Sequence, residues 1–425
     1  MNESFLHYIW QFQYFEKKDL VTSNGESISI LKTGTLNTDA GPDFFNAKII
    51  IDGIEWAGNV EVHIKSSDWF AHHHEKDAAY NNVILHLVWE NDKPIYRNNE
   101  LLPTLELKNK VDTSLLNGYK KLINNVSPIA CEKTFSSVDE LVKLSMLDKA
   151  LMQRLETKAN QVADLLQQNN NDWDETAYQL LAKNFGFKVN AEPFFQLSKS
   201  LPYKIIQKQN SLLQVEALLL GQAGMLEAKN KEEYISLLFR EYHLLSQKYS
   251  LSELKLNHSQ WKFLRLRPAN FPTVRLAQFA SILFSVKNLF SKLILIESYS
   301  SLEKTFSVHQ SDYWKTHYRF GKKAKGNVPE FGESSIQNVV INTVAPLLVA
   351  YGKYKDEQAH IARAIELLQQ IPSEENKITR EWNMLGMKVK NAFDSQAQIE
   401  LYNNFCQKRQ CLNCNIGVSI LKPQL

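Results

Sequence analysis

The chain is 425 residues long, 44% apolar and 22% charged, with a net charge of +3. It is long enough for two or three domains with cores of their own and too apolar for global disorder, and a charge so near balance argues for no partner class in bulk. The opening Met1-Asn2-Glu3-Ser4-Phe5-Leu6 lacks a basic region leading into an apolar run, and no stretch approaches the ~18 apolar residues of a membrane span. The expectation is a soluble, cytoplasmic protein without membrane attachment.

Phe5, Leu6, Ile9, Trp10, Phe12 and Phe15 recur at helical steps and predict an amphipathic helix over 5–16. Strand-like runs follow at 27–32, 46–51, 59–65, 83–89 and 101–107, separated by Gly, Asn, Asp and Pro, with a helical turn near 77–82. After Ser127-Pro128 the texture turns helical. Leu141, Leu144, Leu147, Leu151, Leu155, Val162 and Leu165 predict a helix over 138–168, opened by Ser137-Val138-Asp139-Glu140 as a capping box. Further helices are expected at 175–184, 212–220, 232–248, 272–284, 335–351, 356–370 and 394–405. The fold class is therefore α+β. An α/β domain over 1–126 is expected to precede a mainly α-helical domain over 127–425 that carries the C-terminal cysteines.

Chemistry concentrates first between residues 41 and 65. Gly41-Pro42-Asp43 stands at a strand entrance, and 18 positions later Glu61 lies inside Gly58-Asn59-Val60-Glu61-Val62-His63-Ile64-Lys65. A period of two sends Val60, Val62 and Ile64 to a core and lines up Glu61, His63 and Lys65 on the opposite face. Asp43 and Glu61 then supply carboxylates for Mg²⁺ or Mn²⁺, the Val62 carbonyl completes a ligand set, and His63 or Lys65 orients or deprotonates water. Asp68, His74 and Tyr80 would border the scissile bond. His72, His73, His74 and His86 offer another metal site without defined ligand spacing, and His86, between Ile84 and Val88, reads as a core histidine. Nucleotide-binding loops and the serine-hydrolase elbow are absent.

Basic and aromatic residues interleave further on. Between 254 and 296 no acidic residue precedes Glu297, while Trp261, Lys262, Arg265, Arg267, Phe271, Arg275 and Lys287 are present; Trp314, Lys315, Tyr318, Arg319, Phe320, Lys322 and Lys323 repeat the pattern. Rings beside guanidinium and ammonium groups suit base stacking with phosphate contact, so Trp261, Lys262, Arg265, Arg267, Arg275 and Lys322 are expected to bind nucleic acid. Cysteine is scarce: Cys131 alone, then Cys406, Cys411 and Cys414. In a reducing compartment the simplest reading is one four-cysteine site for Zn²⁺ or a [4Fe-4S] cluster.

Taken together, Gly41-Pro42-Asp43-Phe44, the Gly58 to His63 run, Ser67-Asp68-Trp69, Tyr80 to His86, Arg265-Leu266-Arg267-Pro268-Ala269-Asn270-Phe271-Pro272, Tyr313-Trp314, Ile341-Asn342-Thr343-Val344-Ala345-Pro346 and the closing cysteines make the whole chain resemble a bacterial family of about this length catalogued only as a domain of unknown function. The first quarter also resembles the PD-(D/E)xK restriction-endonuclease-like nucleases, with His63 where the motif has lysine. That resemblance implies metal-dependent phosphodiester hydrolysis, with nucleic acid and a helicase or other protein as candidate partners. Some nucleases of that superfamily hold a [4Fe-4S] staple with one distant and three clustered cysteines; there the lone cysteine precedes the motif, whereas Cys131 follows it. The alternatives are a non-catalytic nucleic-acid-binding or scaffold protein with a structural metal site, and a small-molecule hydrolase built on His72 to His74 and His86.

Overall fold

The computed structural model describes residues 2–97, 99–226 and 232–422. The chain is α+β and divides into two compact units, Met1–Leu147 with Leu401–Leu425, and Asp148–Glu400. The division expected at residue 126 thus falls inside the first unit, and the cysteine-bearing tail belongs to that unit as well.

In the first unit, α1 (Glu3–Phe12) starts where the Asn2 side chain accepts the Phe5 N–H and ends at Gln13, whose left-handed backbone (φ 53°) turns the chain away. It stops short of the expected 5–16. Strands β1 (Ile28–Lys32), β2 (Thr35–Leu36), β3 (Phe44–Ile51) and β4 (Ile54–Lys65) are followed by a short helix α2 (Asp68–Ala71), 3₁₀ turns at His74–Lys76 and Ala78–Asn82, and β5 (Val83–Glu90). A small hairpin, β6 (Tyr96–Arg97) with β7 (Glu100–Leu101), leads to β8 (Thr104–Glu106). The six-stranded sheet runs β1-β3-β4-β5-β8, with β2 on β3. The pairs β1–β3 and β3–β4 are antiparallel, β4–β5 and β5–β8 parallel.

Asp52-Gly53 joins β3 to β4, both residues at positive φ (45° and 80°), which is the two-residue turn whose twist matches a hairpin. Tight pairing at this point extends β4 well ahead of the expected start at 59. Val60, Val62, Leu85 and Leu87 face one side of the sheet and join Phe5, Leu6 and Ile9 in a core. The opposite face carries Glu61, His63 and His86 beneath Trp69 and Tyr80. Helices α3 (Thr113–Ile123), which the sequence reading missed, and α4 (Glu140–Gln168) follow. The expected capping box does not form at Ser137: its hydroxyl donates to the Thr134 carbonyl, and the Asp139 carboxylate accepts the Leu141 N–H instead (2.7 Å).

The second unit is mainly helical around the packed rings of Tyr178, Phe185, Phe194 and Phe279. Its helix over Glu333–Lys355 is, by length and composition, apolar enough to cross a membrane, which the sequence reading had not expected of any stretch; 78% of its most apolar window is buried in the protein. A π-helical turn at Val340–Val344 interrupts it, and the Asn342 carbonyl so released accepts from the Asn184 amide (2.8 Å).

At Gly58 β4 passes tightly against the segment entering β5. A Cβ there would sit 2.4 Å from Ile84 Cγ2 and 2.6 Å from the Asn82 carbonyl oxygen, a backbone atom that cannot swing aside. Gly58→Ala should therefore cost about 1–3 kcal/mol through overpacking, read as a lowered thermal midpoint; an unchanged midpoint would contradict the close approach.

Candidate metal centre

The alternation in β4 places Glu61 and His63 on the buried, ring-covered face of the sheet, with exposures of 4% and 1%. Burial raises the Glu61 carboxyl above its ordinary range; neighbouring His74 pulls it down and Asp43 pushes it further up. Glu61 Oε2 accepts the Asp43 backbone N–H (3.2 Å), and Asp43 Oδ2 accepts the Val62 N–H (3.0 Å), so the two acids lock β3's entrance to β4. The other Asp43 oxygen lies 3.3 Å from Nε2 of His7, a residue of α1.

Histidines complete the surroundings of Glu61. Oε1 lies 3.1 Å from His74 Nε2 and 3.6 Å from His63 Nε2, and His63 Nε2 lies 3.1 Å from His72 Nδ1. Donor atoms of His63, His72 and His74 all fall within 4.8 Å of one another. His74 Nε2 is buried yet not in hydrogen-bonding geometry with any group among the described residues. At 3.1 Å Glu61 and His74 form an ion pair when His74 carries a proton, and present two ligand atoms to one point when it does not. Ligands at about 2.1 Å around a tetrahedral ion are spaced about 3.4 Å apart, close to the 3.1, 3.6 and 3.1 Å that separate Glu61 from His74, Glu61 from His63 and His63 from His72.

Local backbone explains how His72 and His74, only two residues apart, reach one point. His73 takes a left-handed conformation (φ 61°) after α2, reversing the chain so that its own ring stays exposed while His74 is buried. Trp69 meets His74 and His86 edge-on, and Tyr80 stacks on His74 at 3.8 Å between centroids. The Ser66-Ser67-Asp68 corner is fixed by Asp92, whose Oδ1 accepts the Ser66 hydroxyl and Ser67 N–H and whose Oδ2 accepts the Ser67 hydroxyl.

His86, fully buried, is a core histidine as expected, but its Nε2 meets His63 Nδ1 at 2.8 Å. If His63 donates through Nδ1, its Nε2 lone pair is left facing Glu61 and His72, which is the ligating tautomer with an outer partner holding the ring. Burial first, and neighbouring imidazoles second, push the His63 pKa down to about 2 and that of His86 to about 3, favouring the neutral rings a metal requires.

Of the expected catalytic set, Asp43, Glu61 and His63 come together, whereas Lys65 is exposed and in no ion pair among the described residues. Its backbone N–H is taken by Asp68 Oδ2 (2.9 Å), which gives Asp68 a structural task in place of the expected one at the scissile bond. His7 escaped the sequence reading because a single histidine in an amphipathic helix carries no spacing signal.

In the second unit the nucleic-acid expectations divide. Trp261 is a correction: 4% exposed, packed edge-on to Phe194, with its indole N–H on the Ala223 carbonyl (2.8 Å), it offers no face to a base. Arg275 is likewise buried, bonded to Asn270, Gln278 and Ser335 and lying over Phe187 and Phe331. Phe263 and Phe271 are occupied by Arg319 at 4.1 and 4.5 Å. Lys262, Arg265, Arg267 and Lys322 are exposed.

Residues 3–377 match the family model described as Protein of unknown function (DUF2851). No curated protein and no solved structure matches the chain.

The depressed pKa values have a testable sign. Unfolded, both imidazoles protonate near 6.5; folded, they stay neutral down to about 2 and about 3. Stability is therefore lost as pH falls below about 6.5, at about 1.4 kcal/mol per pH unit for each ring, opposed by at most one proton on the raised Glu61. With chelator present, the denaturant midpoint of the wild type should drop between pH 7 and pH 5, and the drop should shrink in His86→Gln. Equal wild-type midpoints would contradict neutral buried rings.

Proposed function

We propose that this chain, which belongs to the DUF2851 family, is a metal-dependent hydrolase of phosphodiester bonds in nucleic acid, with its active centre on Glu61, His63, His72 and His74. The observation that carries the reading is three imidazole nitrogens, of His63, His72 and His74, within 4.8 Å of one another, with the buried Glu61 Oε1 3.1 Å from His74 and 3.6 Å from His63. Three imidazoles with one carboxylate suit Mn²⁺, Zn²⁺ or Fe²⁺ better than Mg²⁺, which prefers all-oxygen shells. The magnesium site expected at Asp43 and Glu61 alone is thereby recast: Glu61 is a ligand and Asp43 its neighbour.

A divalent ion held there supplies Lewis-acid polarisation of a phosphoryl oxygen and lowers the pKa of water. The protein's own groups do the rest. His86 holds the His63 ring, Tyr80 and Trp69 hold His74, and the exposed His72 marks the side open to solvent and substrate. Asp43, one-quarter exposed and 3.3 Å from His7, is placed to take the proton from attacking water. Lys262, Arg265, Arg267 and Lys322 would hold the phosphate backbone without reading sequence. The reading remains with nucleic acid on the strength of the Asp43, Glu61 and His63 spacing and these exposed cations.

The test is cleavage of single- and double-stranded DNA and RNA across Mg²⁺, Mn²⁺, Co²⁺ and Zn²⁺. Glu61→Gln and His74→Ala should each lower the rate by more than about 100-fold, and His86→Ala, which removes only an outer partner, should weaken metal affinity about 10- to 100-fold. Binding without cleavage under every metal would make the protein a nucleic-acid-binding scaffold. Cleavage supported by Mg²⁺ and indifferent to His72→Ala and His74→Ala would restore the Asp43 and Glu61 site.

A further inference from the structure

The first unit holds a second cluster of metal-binding side chains, made entirely of sulfur. None of the four cysteines is in a disulfide; Cys406, Cys411 and Cys414 are buried and Cys131 half-buried. Cys406 ends the π-helical turn Leu401–Cys406, Cys411 opens the 3₁₀ turn Cys411–Asn413, and Cys414 caps the helix Asn415–Leu421. A sharp return between them is enforced twice. Arg409 is left-handed (φ 53°), and Gly417 passes so near the Cys411 carbonyl that a Cβ would lie 2.1 Å from its oxygen.

The loop bearing Cys131 is fastened to this tail by one guanidinium. Arg409 donates to the carbonyls of Asn125 (2.6 Å), Ser127 (2.8 Å) and Pro128 (3.5 Å), and to the Cys406 carbonyl (3.3 Å). Asn125 in turn donates to the Ala130 carbonyl (2.7 Å), one residue before Cys131. Cys411 lies in the sheet's main core, with Cys131 packed against it. Each of the six cysteine pairs is close enough for the charge on one thiolate to act on the other. Four thiols outside any disulfide are thus gathered from two distant segments, beside a cation that bonds only carbonyls among the described residues.

Their spacing selects among occupants. Thiolates at about 2.3 Å from one tetrahedral zinc lie about 3.8 Å apart. Among the described residues no three of these sulfurs fall within 4.8 Å of one another, whereas ring nitrogens of His63, His72 and His74 do. Four thiolates held close but not converging fit the corners of an iron–sulfur cube, which each binds through a different iron.

We infer that Cys131, Cys406, Cys411 and Cys414 hold a [4Fe-4S] cluster that closes the first unit by tying its C-terminal tail to the loop over 125–131. The thiolates bind after losing their protons to solvent, and no electron transfer is assigned to the cluster. The site is separate in residues from the histidine centre, and neither claim depends on the other.

The experiment is iron and acid-labile sulfide analysis of the full chain, expressed with iron and purified without oxygen. Sulfide is the deciding readout, because iron alone also fits the histidine centre. About four irons and four sulfides per chain are expected, with a brown colour, and Glu61→Gln should retain the sulfide while Cys131→Ser and Cys414→Ser lose most of it. If Cys414→Ser is insoluble, Cys131→Ser at the half-buried position and the wild-type sulfide count carry the test. About one zinc per chain without sulfide would overturn the inference, as would a wild type that takes up no sulfide even on anaerobic reconstitution with ferrous iron.

Discussion

A carboxylate that is almost wholly buried on a sheet face must be compensated, and the organisation of the first unit follows from Glu61. Removing an ionised carboxylate from water costs several kcal/mol after relaxation. No lysine or arginine pairs with it among the described residues; a backbone N–H meets one oxygen and imidazoles surround the other. Neutral imidazoles are a poor counter-charge, and burial keeps His63 neutral. On the proposed reading, an ion beside Glu61, His63, His72 and His74 would supply the counter-charge that His63 does not. Its binding free energy would then add to that of folding.

Much of the fold was legible because it is local. Alternation in β4 assigned Glu61 and His63 to one face and Val60 and Val62 to the core, and the 18-residue step from Asp43 brought the two acids together across the β3–β4 pair. The helices of the second unit followed from apolar recurrence, though short ones such as Ala191–Ser200 and Lys377–Met384 offered too few turns to register.

The rest of the site depended on relations that a linear pattern does not carry. His72 and His74 reach Glu61 only through the positive φ of His73, which alternation cannot anticipate for a histidine. His86 meets His63 because β5 runs parallel to β4 with Glu61 opposite His86, a register set by the crossover between them. Aromatic residues among basic ones misled for the opposite reason: Trp261 and Arg275 look like ligands in the sequence, but the same composition describes a core where rings and a guanidinium satisfy one another. The return of the C-terminal tail to the first unit is likewise a tertiary fact, and it brings Cys411 into the core against which Cys131 packs.

In the proposed centre Glu61, His63, His72 and His74 hold one transition-metal ion. Anomalous scattering from crystals of the full chain grown with Mn²⁺ or Zn²⁺ tests it most directly. A single strong peak is expected within about 2.0–2.3 Å of Glu61 Oε1, His63 Nε2, His72 Nδ1 and His74 Nε2. Saturating metal with no density among those four atoms would contradict it.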